Sequence, residues 1–204
     1  MLVIGLTGSI GMGKSTAAAR FRTHGVPVFD ADAEVHRLYA GAAIAPIEAA
    51  FPGTTKVSGV DRQLLSAALL ADPSGFARLE AIVHPMVKAS ERAFLHAAKA
   101  AGHAMAVLEI PLLFETGGNH KCDCTVLVTA PEHIQATRVL ARPGMTEEKF
   151  ARIRVQQLQE GEKIRRADFV VDTSASIPET EAQIDRILNW LRGREAQAFD
   201  RHWV

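Results

Sequence analysis

Gly8-Ser9-Ile10-Gly11-Met12-Gly13-Lys14-Ser15 satisfies the spacing GxxxxGK[ST] and directly follows the apolar run Leu2-Val3-Ile4-Gly5-Leu6. Glycines at this spacing let successive backbone N–H groups turn toward one anion, and the start of a following helix adds its positive dipole end. The chemistry is nucleotide phosphate binding. Lys14 would reach the β- and γ-phosphates, Ser15 would offer its hydroxyl to Mg2+, and Gly8, Gly11, Met12, Gly13 and Thr16 would complete an ATP cradle.

Phosphoryl transfer needs an oriented acceptor and neutralised charge more than covalent help. Asp30 and Asp32 follow the short apolar run Val26-Pro27-Val28-Phe29, at the strand end where open parallel sheets bind ligands. Asp32 is expected to accept or orient the proton of an attacking hydroxyl, with Asp30 supporting it or reaching the Mg2+ shell through water. The competing reading has these acids merely capping the helix that begins near Ala33. Glu109 ends another apolar strand, a position suited to water-mediated metal contact.

From Arg138 to Arg166 eight basic residues stand against four acids, a net +4 in a chain of zero formal charge. Arg138 and Arg142 lie four apart, so on one helix face both guanidinium forks could meet a single polyanion. Pro143-Gly144 offers a hinge. Charge alone would suit a solvated helix pair; beside a phosphate loop, a closing arginine lid that excludes water is the stronger expectation. Pro111-Leu112-Leu113-Phe114-Glu115 reads either as an apolar wall presenting one carboxylate to a substrate or as core packing. His84 reads as a cap or a packed ring.

These residues need elements to position them. The first helix is expected over Lys14 to about His24, with Gly25 stopping it. Helical patterns then fill 33–102: Glu34 to Tyr39, Ile44 to Phe51, Arg62 to Ala71 capped by Asp61, Gly75 to Val83, and Pro85 to Ala101, with a loop from Pro52 to Gly59. Buried strands are expected at Ala104 to Ile110, Cys124 to Val128 and Asp168 to Asp172. Helices follow at Pro131 to Arg142, from Thr146 to about Glu160, and after the capping-box pattern at Ser176. The tail from Gly193 shows no pattern and is expected to fray. The sum is an α/β fold, a five-stranded doubly wound parallel sheet. Its core would comprise 1–32, 103–134 and 167–204, with a helical acceptor-binding insertion at 33–102 and an arginine-rich lid at 135–166.

Composition agrees with a globular enzyme. The 204 residues are 48% hydrophobic, with 23 basic and 23 acidic side chains. Such a balance favours neither nucleic acid nor a membrane surface as partner. The N-terminus lacks a signal-peptide pattern and no apolar run is long enough to span a bilayer, so a cytoplasmic protein is expected. A monomer is expected, with room for weak self-association. Cys122 and Cys124 are too few for a disulfide framework or zinc site and read as reduced core residues.

Taken together these blocks resemble dephospho-coenzyme A kinases over almost the whole chain. The resemblance rests on Leu6 to Thr16, on Asp30-Ala31-Asp32, on Asp61-Arg62 before Leu65, and on Leu79-Glu80 with Ile82-Val83-His84-Pro85. It continues through Ile110 to Glu115, Gln135 with Arg138 and Arg142, Gln156-Gln157, Lys163 and Ala167-Asp168. It implies ATP-dependent phosphorylation of the ribose 3′-hydroxyl of dephospho-coenzyme A, the last step of coenzyme A biosynthesis, with Mg2+ accompanying ATP. It also implies Asp32 as base, Arg142 or Arg138 as lid arginine, and Arg62, His84, Pro111, Leu112 and Glu115 near the substrate. An N-K-x-D guanine motif is absent, which counts against a GTPase. Two positions depart from the family pattern: Glu109 stands where Asp is usual, and Thr173 where Asn commonly follows the last strand.

Overall fold

The computed structural model describes residues 1–204. In chain order its elements are β1 (Leu2–Thr7), α1 (Lys14–Thr23), β2 (Val28–Asp30), α2 (Ala31–Tyr39), α3 (Ile44–Ala50), β3 (Thr55–Lys56), β4 (Gly59–Val60), α4 (Arg62–Ala71) and α5 (Gly75–Ala100). They continue with β5 (Met105–Glu109), β6 (Cys124–Thr129), α6 (Glu132–Leu140), α7 (Glu147–Val155), α8 (Glu160–Arg166), β7 (Phe169–Asp172), α9 (Ile177–Leu191) and α10 (Ala198–His202).

All six residues of β1 are buried, as expected of a central strand covered on both faces. The five-stranded sheet has the order β2-β5-β1-β6-β7, and β1 pairs in parallel with β5 and β6. The register sets Leu6 beside Glu109 and Thr7 beside Leu127, while Thr129 of β6 lies beside Asp172 of β7. The carboxyl ends of the strands therefore share one edge. From β1 the chain crosses toward β2, and after β5 it crosses to β6 on the other side, so the loop after β1 sits where the winding reverses.

Two compact units emerge: Met1–Phe29 with Leu95–Val204, and Asp30–Phe94. In the larger, Ile4, Leu6, Phe21, Val126, Val128, Ile184 and Leu188 belong to one buried cluster. Arg20 of α1 grips Asp185 of α9 through Nε at 2.7 Å, and His24 Nε2 meets the same carboxylate at 2.7 Å. The hydrogen bond from Arg20 chiefly, opposed by burial and helped by His24, holds the Asp185 carboxyl down from 3.8 to about 2. A folded-state value below the unfolded one gives stability that is complete above about pH 4 and lost as pH falls through about 2. Thermal melts of Asp185→Asn against wild type should differ at pH 6 and converge toward pH 2.

The smaller unit is helical around Leu38, Ile47, Phe51, Leu65, Leu69 and Val83. Asp61 caps α4, accepting from the Gln63 and Leu64 amides at 3.0 and 3.2 Å. The expected break before Pro85 does not occur: α5 runs from Gly75 to Ala100 with Pro85 inside it. Proline deletes one backbone hydrogen bond and crowds the preceding turn. Yet Leu79, Ile82, Val83, Met86 and Val87 form one stripe across it and pack into the same cluster; that burial outweighs the local defect. Nor is 52–59 wholly loop, since β3 and β4 pair antiparallel within a short hairpin.

Three further boundaries shift. The segment after α6 holds two helices where one was expected, α7 ending at Val155 and α8 beginning at Glu160, with Gly161 inside α8. α6 stops at Leu140, because the residue before Pro143 is biased away from helical geometry. The tail does not fray. Phe199 and Trp203 are buried, and Trp203 Nε1 donates to the Lys121 carbonyl at 2.9 Å. Asp123 Oδ1 receives the Gln197 and Ala198 amides at 2.6 and 2.8 Å. Aromatic burial and a carboxylate acting as cap thus order a segment whose own pattern is weak. Trp203→Ala should destabilise the protein by about 3–5 kcal/mol, read from urea unfolding midpoints.

Neither Cys122 nor Cys124 forms a disulfide. Burial pushes the Cys124 thiol up to about 12, which keeps it unreactive at neutral pH.

Candidate active site

The loop between β1 and α1 is shaped by glycines in left-handed conformation. Gly11 has φ 78° and Gly13 φ 85°, and a Cβ at Gly11 would lie 2.5 Å from Val139 Cγ2. Gly13 is the N-cap of α1, no side chain caps the helix, and its first turn contains no acid. The start of α1 therefore presents its positive dipole end with no acidic side chain to neutralise it, which suits an anion, while the Thr16 amide closes the turn on the Gly13 carbonyl at 3.1 Å. Lys14 folds back over the loop and donates from Nζ to the Gly8 carbonyl at 2.8 Å. Ser15 is exposed at the same turn and Thr16 half-buried. The Met12 side chain is buried, with Sδ accepting from the Ala130 amide at 3.1 Å.

The outer half of the loop is gripped by side chains from 135–160. Gln135 Nε2 donates to the Ile10 carbonyl at 2.8 Å, and Gln157 Oε1 receives the Ile10 amide at 3.4 Å. Ser9 Oγ donates to Glu160 Oε2 at 2.9 Å. On its other flank Thr7 Oγ1 donates to the Pro111 carbonyl at 3.2 Å.

Arg138 and Arg142 part company. Arg138 clasps Thr173, donating to its Oγ1 at 3.0 Å and its carbonyl at 2.6 Å. Thr173 Oγ1 also lies 3.1 Å from the Met12 carbonyl and 3.2 Å from that of Thr129. Arg142 falls beyond the end of α6 and is exposed, so the two do not share the helix face that their spacing suggested.

Asp30 and Asp32 also diverge, because α2 begins between them. Asp30 is its N-cap, accepting from the Ala33 amide at 2.9 Å. Asp32 stands exposed in the first turn. One turn on, His36 Nδ1 meets the Asp32 carbonyl at 2.7 Å and its Nε2 meets Arg62 at 2.7 Å. A carbonyl accepts and a guanidinium donates, so Nδ1 donates to the Asp32 carbonyl and Nε2 accepts from Arg62. His36 was missed in the sequence; its signal was the i, i+4 spacing from Asp32. His84 is exposed on α5, neither a packed ring nor a cap.

The 111–115 loop divides between its two readings. Leu113 and Phe114 are core, whereas Pro111 and Leu112 are half-buried at the sheet edge. Glu115 turns inward to Lys163, 3.0 Å away. Glu109 is buried at the end of β5, in register with Leu6 of β1.

The sequence profile of a family described as dephospho-CoA kinase matches residues 2–179. The chain belongs to the dephospho-CoA kinase family. A dephospho-CoA kinase from Mesorhizobium japonicum is 54% identical over 194 residues, covering 95% of this chain and 98% of the relative. One from Brucella melitensis is 52% identical over 198 residues, covering 97% and 99%. Among solved structures, a protein from Thermus thermophilus superposes with a TM-score of 0.80 at 35% identity, covering 94% of this chain and 98% of that one. The dephospho-CoA kinase from Campylobacter jejuni shares the fold at TM-score 0.70 and 22% identity, covering 93% and 96%. The Thr173 hydroxyl is the partner through which Arg138 and the Met12 carbonyl are joined.

Proposed function

We propose that this dephospho-CoA kinase holds ATP on Gly8 to Thr16 and phosphorylates the ribose 3′-hydroxyl of dephospho-coenzyme A, with Asp32 as base. The observation that carries the donor half is the uncapped, acid-free start of α1 beneath the left-handed Gly11 and Gly13, with Lys14 folded over it. Lys14 exchanges its Gly8 carbonyl for the β/γ-phosphate oxygens. The hydroxyl proton passes to the Asp32 carboxylate as its oxygen attacks the γ-phosphorus and the bond to the β-phosphate oxygen breaks, leaving ADP.

No group of three or more acidic, histidine or cysteine ligands is assembled anywhere in the chain. That fits Mg2+, which keeps several waters and is held chiefly by substrate phosphates with one or two protein oxygens. Ser15 would be the direct protein ligand, with Glu109 acting through water, and the ion would neutralise charge on the transferring phosphate. The Ala33 amide already engages Asp30, which favours the capping role for that residue. Between the lid arginines, Arg142 is the one whose exposure leaves it able to close on the phosphates, while Arg138 braces the wall at Thr173. Arg62, His36 and His84 of the helical unit, with Pro111 and Leu112, are assigned to the acceptor side. A monomeric enzyme is the working form.

The test is ADP release in the presence of ATP and Mg2+ with dephospho-coenzyme A, nucleoside monophosphates and pantetheine offered in parallel. Turnover confined to dephospho-coenzyme A, with the new phosphate on the 3′-oxygen by phosphorus NMR, is expected. Equal turnover with a nucleoside monophosphate would overturn the assignment.

A further inference from the structure

Lys163 stands in the middle of α8 with its side chain 0% exposed, an uncommon burial for lysine. Its Nζ donates to Ser9 Oγ at 3.0 Å and pairs with Glu115 Oε1 at 3.0 Å. Glu115 Oε1 also accepts the Leu158 amide at 2.8 Å, and Ser9 donates onward to Glu160 Oε2 at 2.9 Å. Three segments therefore meet at one ammonium: the phosphate loop, the 111–115 loop and the root of the basic segment.

As a source of stability this arrangement is poor. Desolvation offsets most of the attraction within a buried ion pair, and here Glu115 Oε2 and Glu160 Oε1 are buried with no hydrogen-bond partner. What the cluster supplies is position. The Ser9 carbonyl accepts the Met12 amide at 3.1 Å, so the placement of Ser9 sets the turn that carries Gly11 and Gly13. Ile10, between them, is held by Gln135 and Gln157 on its two backbone groups.

We propose that Lys163 is a positioning residue for the phosphate loop. Through Ser9 it holds the loop's amides in the geometry that receives a triphosphate, so that ordering cost is met on folding and not on nucleotide binding. The proposal rests on the reading of Gly8 to Thr16 as the ATP cradle. Cutting the link at Ser9 places the effect on nucleotide affinity and not on the acceptor, because Ser9 lies in the phosphate loop and the Lys163–Glu115 pair that reaches the 111–115 loop is left in place.

Lys163→Met removes the hub but leaves buried acceptors unpaired, and the variant is at risk of not folding. Ser9→Ala cuts the link from hub to loop, and with it the Ser9–Glu160 hydrogen bond, but keeps the Lys163–Glu115 pair. For Ser9→Ala, the ATP dissociation constant by calorimetry should rise about tenfold, the loss of one charge-assisted hydrogen bond. The KM for dephospho-coenzyme A should stay within about twofold. If Lys163→Met folds, it should show at least the same rise. An ATP affinity within twofold of wild type in Ser9→Ala, or a parallel rise in both substrates' KM, overturns the proposal whether or not Lys163→Met folds. Lys14→Ala serves as the control: unchanged ATP binding there strikes the cradle reading itself, whereas loss there with retention in Ser9→Ala strikes only the role of Lys163.

Discussion

Lys14→Ala is expected to lower kcat/KM by about 10³-fold, the scale observed when one preorganised donor to a developing charge is removed. The Lys14 ammonium bonds the Gly8 carbonyl of its own loop at the start of α1, the place proposed to hold the ATP phosphates. No core side chain changes, so the unfolding midpoint should move by less than about 0.5 kcal/mol. The measurement is steady-state ADP release with a parallel urea melt. Retention of a tenth of wild-type activity, or a collapse in stability that accounts for the loss, would contradict the role assigned to the lysine.

Asp32→Asn is the second large effect. Asparagine keeps the size and hydrogen-bonding capacity of aspartate but cannot take up the hydroxyl proton, so kcat should fall by about 10²–10⁴-fold. ATP affinity should be unchanged. Asp32 lies in the first turn of α2 without being its cap, which makes stability a clean control. Asp30→Asn is the informative partner, because asparagine caps a helix about as well as aspartate. If Asp30 serves only as the cap, that variant retains near-full activity. A drop approaching that of Asp32→Asn would instead mean that both carboxylates act in the reaction.

The strand, turn and helix that carry the glycine loop were legible because their constraints are local. A glycine loop needs only its own spacing and a neighbouring strand and helix; Ser176 and Glu179 form the reciprocal capping box their spacing implies. Amphipathic periodicity was legible too, and it contained more than a break at Pro85: the stripe at Leu79, Ile82, Val83, Met86 and Val87 runs through the proline without interruption. Where the reading stopped short, distant partners made the decision. Trp203 and Phe199 order the tail by packing against residues far away in the chain. Glu115 could face a substrate or the interior on sequence grounds alone, and a lysine 48 positions later turns it inward.

The amino-acid order by itself determined the glycine turn between β1 and α1, the five strands of the sheet, the mostly helical stretch between β2 and β5 and the family, since each is written in short-range spacing or in the succession of short blocks. Tertiary structure alone decided which of several equivalent polar groups are free to act. Arg138 and Arg142 carry the same charge four residues apart, but the pairing of β6 with β7 brings Thr173 under one of them and leaves the other exposed. Asp30 and Asp32 are the same residue type two apart, but the start of α2 makes one a cap and the other a surface carboxylate. The reason is that a hydrogen bond engages a side chain through a partner's position in space, and for Lys163 and Ser9 that partner lies 154 residues away.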